Sequence, residues 1–292
     1  MLICGRFALI KSPPAKSGAG YQGGDAGTEI DKLTFSTEAW AATSSTLARA
    51  YNYSQGCNDN TYGWMGTGTS TDNTIIERMT LSTESMTDAI DTLGSGTTAR
   101  SSNHQDGSTK TKSWWNYNTT MESFPFSTET LASVTASLTY ASSYHSACFN
   151  TTYSWIGGGT TQNRHCDKFT QSSETVSLLS TTSWPNVHNT NRAAASDETG
   201  GQGWFFGTST TAGDIDRVTF SSDTFADTGN NLSTNAQYGT VNQHDEAAYI
   251  IDAFSTAIRK FTFSTEACAD LSATLSDAMP CAGDWMSGGW VG

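Results

Sequence analysis

One phrase recurs six times along this chain and limits what the chain can fold into. It reads Leu33-Thr-Phe-Ser-Thr-Glu-Ala39, Met79-Thr-Leu-Ser-Thr-Glu-Ser85, Phe124-Pro-Phe-Ser-Thr-Glu-Thr130, Phe169-Thr-Gln-Ser-Ser-Glu-Thr175, Val218-Thr-Phe-Ser-Ser-Asp-Thr224 and Phe261-Thr-Phe-Ser-Thr-Glu-Ala267. Anchored on the third residue, at 35, 81, 126, 171, 220 and 263, the copies are separated by 46, 45, 45, 49 and 43 residues. In five of the six copies two apolar positions flank a Thr or Pro, the alternation of a strand with one buried face, and in the fourth Gln171 takes the second place. Leu33 and Phe35 fall on one face and Thr34 on the other. The Ser-Thr-Glu that follows is turn chemistry, because hydroxyl and carboxylate oxygens bond nearby backbone N–H groups.

The rest of the unit repeats too. An aromatic segment precedes each phrase and carries glycine in four of the six copies, as in Tyr62-Gly-Trp-Met-Gly66, Tyr153-Ser-Trp-Ile-Gly-Gly158 and Gly203-Trp-Phe-Phe-Gly207. An acid-base pair stands just before four of the phrases, Asp31-Lys32, Glu77-Arg78, Asp167-Lys168 and Asp216-Arg217. These pairs read as exposed ion pairs across neighbouring strands, each a small contribution. A polar strand then ends in Leu47, Leu93, Leu138, Leu232 or Leu275. A period near 45 with about four short strands per unit is β-propeller spacing.

This layout resembles the kelch repeat, in which one strand ends in Gly-Gly and the next runs into a Tyr-Asp-Pro-Glu-Thr turn. Phe-Ser-Thr-Glu-Thr occupies the turn here, and Gly23-Gly24 and Gly157-Gly158 keep the glycine pair. The turn is also similar to repeats in phage and other virion proteins. The resemblance implies an all-β fold: a six-bladed kelch-like β-propeller over residues 20–292, closed by pairing of N- and C-terminal strands, with residues 1–19 as an arm or linker. The closing strand is expected within Met279-Pro-Cys-Ala-Gly-Asp-Trp285 and the residues after it.

Composition excludes several function classes. The net charge of −13, with only 15 Lys and Arg, argues against a nucleic-acid backbone as partner. No run of 18 apolar residues is present, so no membrane insertion is expected, and the first ten residues lack the pattern of a signal peptide. The six cysteines, at 4, 57, 148, 166, 268 and 281, contain no Cys-x-x-Cys, which leaves free thiols and one or two bridges both open.

His104, His145 and His188 stand at similar places before successive phrases and are the metal candidates if they face a central channel, although packing explains them as well. Trp184, Trp285 and Trp290 fall outside the aromatic strands and are the candidates for an exposed sugar platform. Most acids sit in repeated turns or pairs, so no catalytic residue and no cofactor is assigned. The expected function is a non-enzymatic structural or adhesive protein, most concretely a phage tail or tail-fibre component, located in a virion or on a cell surface. Its partners would be other virion or surface proteins, a cell-surface glycan, or further copies of itself. A carbohydrate-binding propeller, secreted or surface-bound, is the alternative. A propeller enzyme, a copper oxidase or a glycosidase, is the third reading, and a copper site of the first kind needs Tyr, His and a Cys joined to Tyr.

Overall fold

Alternating Thr, aromatic and aliphatic residues favour pleated strands, and strands are the only regular structure among the described residues. The computed structural model describes residues 18–23, 28–49, 55–59, 61–66, 75–92, 102–105, 111–140, 145–158, 165–180, 184–185, 193–197, 200–207, 213–233, 240–244, 246–251, 255–279 and 283–285. Blade 1 holds β1 (Ala19–Gly23), β2 (Glu29–Thr34) and β3 (Ala39–Thr46), and blade 2 holds β4 (Gln55–Asn58), β5 (Tyr62–Gly66), β6 (Ile75–Thr80) and β7 (Ser85–Thr92). Blade 3 holds β8 (Ser102–Gln105), β9 (Lys112–Tyr117), β10 (Thr120–Pro125) and β11 (Ala132–Ser133). Blade 4 holds β12 (Ser146–Phe149), β13 (Tyr153–Gly157), β14 (Cys166–Thr170) and β15 (Thr175–Ser180). Blade 5 holds β16 (Ala193–Asp197), β17 (Gln202–Phe206), β18 (Asp214–Thr219) and β19 (Thr224–Asn231). Blade 6 holds β20 (Thr240–His244), β21 (Ala247–Ile251), β22 (Ser255–Thr262) and β23 (Ala267–Met279), and β24 (Gly283–Trp285) follows it. The sheets are four-stranded and antiparallel, and together they form a six-bladed β-propeller. In the first sheet the order is β24-β1-β2-β3, with Tyr21 opposite Trp285 and Gly23 opposite Gly283. Of the expected N-terminal arm, only Gly18 and Ala19 are described, and Ala19 already pairs with Thr34.

The core is six layers, each shared by two neighbouring blades. Tyr21, Ile30 and Leu47 meet Met65 and Met79; Trp64 and Ile76 meet Phe124 and Phe126; Trp155, Cys166 and Trp184 meet Phe205, Val218 and Phe220. The sixth layer joins Tyr249, Ile251, Ile258 and Leu275 of blade 6 to Leu33 and Phe35 of blade 1. Both faces of every blade are therefore covered. This explains strands such as β6, where Ile76 and Glu77 are both fully buried.

The repeated phrase is the joint between blades. In four copies its third residue stacks on an aromatic of the preceding blade: Phe126 on Trp64 at 4.5 Å, Phe220 on Trp155 at 4.3 Å, Phe263 on Trp204 at 4.9 Å and Phe35 on Tyr249 at 5.7 Å. Its acid takes a hydrogen bond from the same aromatic and from a cation beside it. Glu129 accepts from Trp64 Nε1 at 3.0 Å and from Arg78 at 2.7 Å; Asp223 accepts from Trp155 Nε1 and Lys168; Glu266 accepts from Trp204 Nε1 and Arg217. Glu84 and Glu38 receive Tyr21 and Tyr249 in place of Trp, with Lys32 and Lys260 as the cations. Aromatic and cation are direct cross-strand partners, Trp64 opposite Arg78 and Trp204 opposite Arg217, so one sheet offers both to one carboxylate.

The acid-base pairs correct an expectation. Adjacent residues on a strand point to opposite faces, so Lys32, Arg78, Lys168 and Arg217 reach the next blade while their acidic neighbours turn toward the preceding one. Asp31, Glu77, Asp167 and Asp216 are buried rather than exposed. Glu77 accepts from Ala48 N at 2.9 Å and Asp167 from Thr139 N at 2.8 Å, so these two acids hold the chain leaving the previous blade. Blade 6 carries Arg259 instead, and its Nε donates to Ser233 Oγ at 2.7 Å.

Each turn acid adopts a left-handed backbone, with φ of 55° at Glu38, Glu84 and Asp223, 54° at Glu266 and 50° at Glu129 and Glu174. A non-glycine residue pays about 1 kcal/mol there. Six acids in a position made for glycine mean that the carboxylate contributes more than glycine would save. Glu266→Gly is accordingly expected to lower stability by roughly 1–3 kcal/mol despite relieving the backbone, because Trp204 Nε1 and Arg217 lose their acceptor. Denaturant unfolding of the variant measures it.

Blade 3 departs from the pattern and compensates. Ser123 stands opposite Trp114 where a cation is expected, and Lys112, two residues before Trp114, supplies the ammonium to Glu174 at 3.0 Å. Pro125 has no N–H for a partner strand, and β11 is reduced to Ala132–Ser133.

Candidate functional site

The structure separates the histidines that the sequence aligns. His104 lies on β8 opposite Trp114, the position that Cys148 holds opposite Trp155 in blade 4. His145 precedes β12, three residues short of Cys148, so the two are not equivalent. His188 lies outside the described residues. Among the described residues no three His, Cys, Asp or Glu side chains are arranged to hold a metal ion. Of the tryptophans, Trp184 is 1% exposed, packed edge-on against Phe205 at 4.4 Å, and its Nε1 donates to the His165 carbonyl. It is a core residue and not a rim platform. Trp285 lies on β24 and Trp290 outside the described residues.

The reason for Trp184 is the Leu that ends the outer strand elsewhere. Leu47, Leu138, Leu232 and Leu275 are buried plugs, and blade 4 has no such Leu. Trp184 fills that place, beside Gly157 as Leu47 lies beside Gly23. Cys57, Cys148 and Cys166 are buried, Cys268 is half-buried, none of the four is joined to another of them in a disulfide, and Cys4 and Cys281 lie outside the described residues. Burial pushes the Cys148 and Cys166 thiols well up, which makes them poor nucleophiles.

Two cavities gather titratable groups. A narrow one of about 10 Å³ is lined by Tyr140, His145, Gly157, His165 and Asp167. His165 stacks on Tyr140 at 3.6 Å, and burial lowers its pKa against the pull of Asp167. Both oxygens of Asp167 are engaged by Thr139, and burial raises its pKa. His145 is buried, and burial lowers its pKa from 6.5 to about 4. The unfolded chain therefore binds more protons between those values. His145 contributes full stability above pH 6.5 and loses it as pH falls toward 4, a swing of roughly 3 kcal/mol. Melting temperature against pH is expected to fall less steeply over that window in His145→Asn than in the parent chain.

The second is an open groove of about 520 Å³ between blades 2 and 3, lined by Asp59, Tyr62, Arg78, Thr111, Phe126, Ser127, Thr128 and Glu129. Local turns position it. Asp59 Oδ1 accepts from Thr61 N at 2.9 Å and Tyr62 N at 2.7 Å, which caps the turn between β4 and β5. Arg78 lies over the Tyr62 ring at 4.5 Å and gives one terminal nitrogen to both oxygens of Glu129. Glu129 is thus held by the joint between blades, and the groove offers a donor, an acceptor and an aromatic side by side. The sequence reading missed Asp59, Tyr62 and Arg78 as a group. The signal was the run Asp59-Asn-Thr-Tyr62, matched by Asn150-Thr-Thr-Tyr153 in blade 4, where Asn150 caps the turn in the same way and Lys168 lies over Tyr153 at 4.0 Å.

No protein-family model matches the chain, and no curated protein matches it.

Proposed function

We propose that the chain is a non-enzymatic structural or adhesive binding protein, most concretely a component of a virion tail or tail fibre. The observation that carries this reading is the use to which the repeat puts its reactive side chains. All six turn acids and a cation from every blade are engaged in joints between blades, which makes a stiff ring. The tips of those turns present exposed hydroxyl pairs, such as Thr83 with Ser85, Ser173 with Thr175 and Ser222 with Thr224, each at 2.8 Å. A rigid disc with a hydroxyl-rich, Lys-poor rim suits fixed assembly and surface contact, with other virion or surface proteins as its partners. The likeness of the turn to virion-protein repeats favours a tail over a cell surface.

The test is mass spectrometry of particles purified from the source culture, with antibody labelling to place the chain on them. Its presence at constant stoichiometry is the expected result. Confinement to the particle-free fraction, or turnover of a glycoside or an alcohol by the purified chain, overturns the proposal.

A further inference from the structure

We infer that the groove between blades 2 and 3 is a binding site for a neutral saccharide, and that Asp59, Tyr62 and Arg78 are its recognition residues. The inference rests on the adhesive reading above and names what the ring would adhere to.

The groove volume of about 520 Å³ is that of a small-molecule site. Its polar groups retain free valence. Asp59 uses Oδ1 for its own turn, and Oδ2 makes no hydrogen bond among the described residues. Arg78 donates to both Glu129 oxygens from one terminal nitrogen, and its other terminal nitrogen makes no hydrogen bond among the described residues. Tyr62 is half-buried under the guanidinium and adds a ring edge and a hydroxyl. Ser127 is exposed on the facing turn. A carboxylate acceptor beside a guanidinium donor matches adjacent ring hydroxyls, each of which gives one hydrogen bond and takes another. The Tyr62 and Phe126 edges offer apolar surface to the C–H face of such a ring.

Other ligand classes fit worse. Asp59 and Glu129 in the lining, on a chain of net charge −13, disfavour an anion. The Arg78 guanidinium disfavours a cation, and hydroxyls and charges around the mouth disfavour an apolar ligand. The joint between blades 5 and 6 supplies an internal control. It has the same Trp204, Arg217 and Glu266, and Asp197 caps its turn through Gly200 N, but Gln202 stands where blade 2 has Tyr62.

Two substitutions separate recognition from folding. Asp59→Asn keeps the Oδ1 cap and replaces the free acceptor by a donor. Tyr62→Gln installs the residue that blade 5 already carries at this place. The purified chain would be applied to a glycan array. Methyl glycosides of glucose, galactose, mannose and N-acetylglucosamine would then be titrated at millimolar concentration by ligand-observed NMR. Binding of at least one neutral saccharide is expected. Each substitution should weaken it at least about tenfold, the loss when a bound hydroxyl is left without its charged partner. Melting temperature should stay near the parent value, and Gln202→Ala at the control joint should leave binding unchanged. Saccharide binding that survives both substitutions overturns the groove while leaving the adhesive reading standing. Absence of any binding by a chain that is nonetheless found on particles overturns the saccharide site and leaves assembly as the function.

Discussion

Deleting residues 280–292 is expected to cost the protein more than any single substitution. The deletion removes β24, which pairs with β1 through Tyr21 opposite Trp285, Gln22 opposite Asp284 and Gly23 opposite Gly283. Tyr21 belongs to the layer with Met65 and Met79 and donates to Glu84, so an uncovered β1 puts the first joint at risk as well. A bare strand edge also recruits other chains. The expected loss is on the order of 5 kcal/mol, a large part of the 5–15 kcal/mol that typically holds a domain together. Size-exclusion chromatography should show aggregation, and the thermal transition should fall sharply. A synthetic peptide of residues 280–292 should restore part of both by adding back the missing strand. An unchanged melting temperature with a monodisperse truncated chain would refute the importance of that pairing.

Trp184→Ala is expected to destabilise the protein by about 3–5 kcal/mol, the usual cost of emptying a buried tryptophan site, or roughly 5–8 °C in melting temperature for a chain of 292 residues. The ring is 1% exposed, lies 4.4 Å from Phe205 and 4.9 Å from Phe225, and donates to the His165 carbonyl. Trp184→Leu, which installs the plug of the other blades, should cost less than Trp184→Ala. The partner position makes a sharper test. A Cβ at Gly157 would meet Trp184 Cζ2 at 2.3 Å, too close for any real contact, so Gly157→Ala alone should be strongly destabilising. In the Trp184→Leu background much of that cost should vanish. Some should remain, because the same Cβ lies 3.0 Å from the His165 carbonyl oxygen. A double-mutant cycle by denaturant unfolding measures the coupling, and additive costs would show that Trp184 does not fill the plug position.

Much of the architecture was legible because it is local. The alternation of Leu33, Thr34 and Phe35 marks the faces of one strand, and Ser-Thr-Glu marks the turn after it, whatever lies beyond. Six copies of one unit then imply six sheets. The roles of individual residues were less legible where a unit departs from its siblings. Trp184 looked like an addition to blade 4 because its sequence context differs from that of Leu47 or Leu138, and only the shared packing beside a glycine shows the equivalence. His104 and His145 looked equivalent by spacing from the phrase, but the register against Trp114 and Trp155 sets His104 level with Cys148, three residues after His145, which lies before the inner strand begins. The groove residues stayed hidden for a related reason: Asp59 and Tyr62 come from one blade, and Ser127 and Glu129 from the next.

The sequence alone determined the repeated strand, its apolar face, the turn that follows it and the number of copies, since each follows from side-chain alternation and turn chemistry within a few residues, whereas the burial of the second face and of its acids came only from the packing of neighbouring blades. Tertiary structure alone decided which carboxylate answers which cation. Arg78 and Glu129 are 51 residues apart, and Lys260 and Glu38 are 222 apart. Nothing in one repeat says whether its acid reaches the blade before it or the blade after. That choice follows from the stacking of twisted sheets around an axis, which turns the lysines and arginines toward the following blade and buries the neighbouring acids against the preceding one.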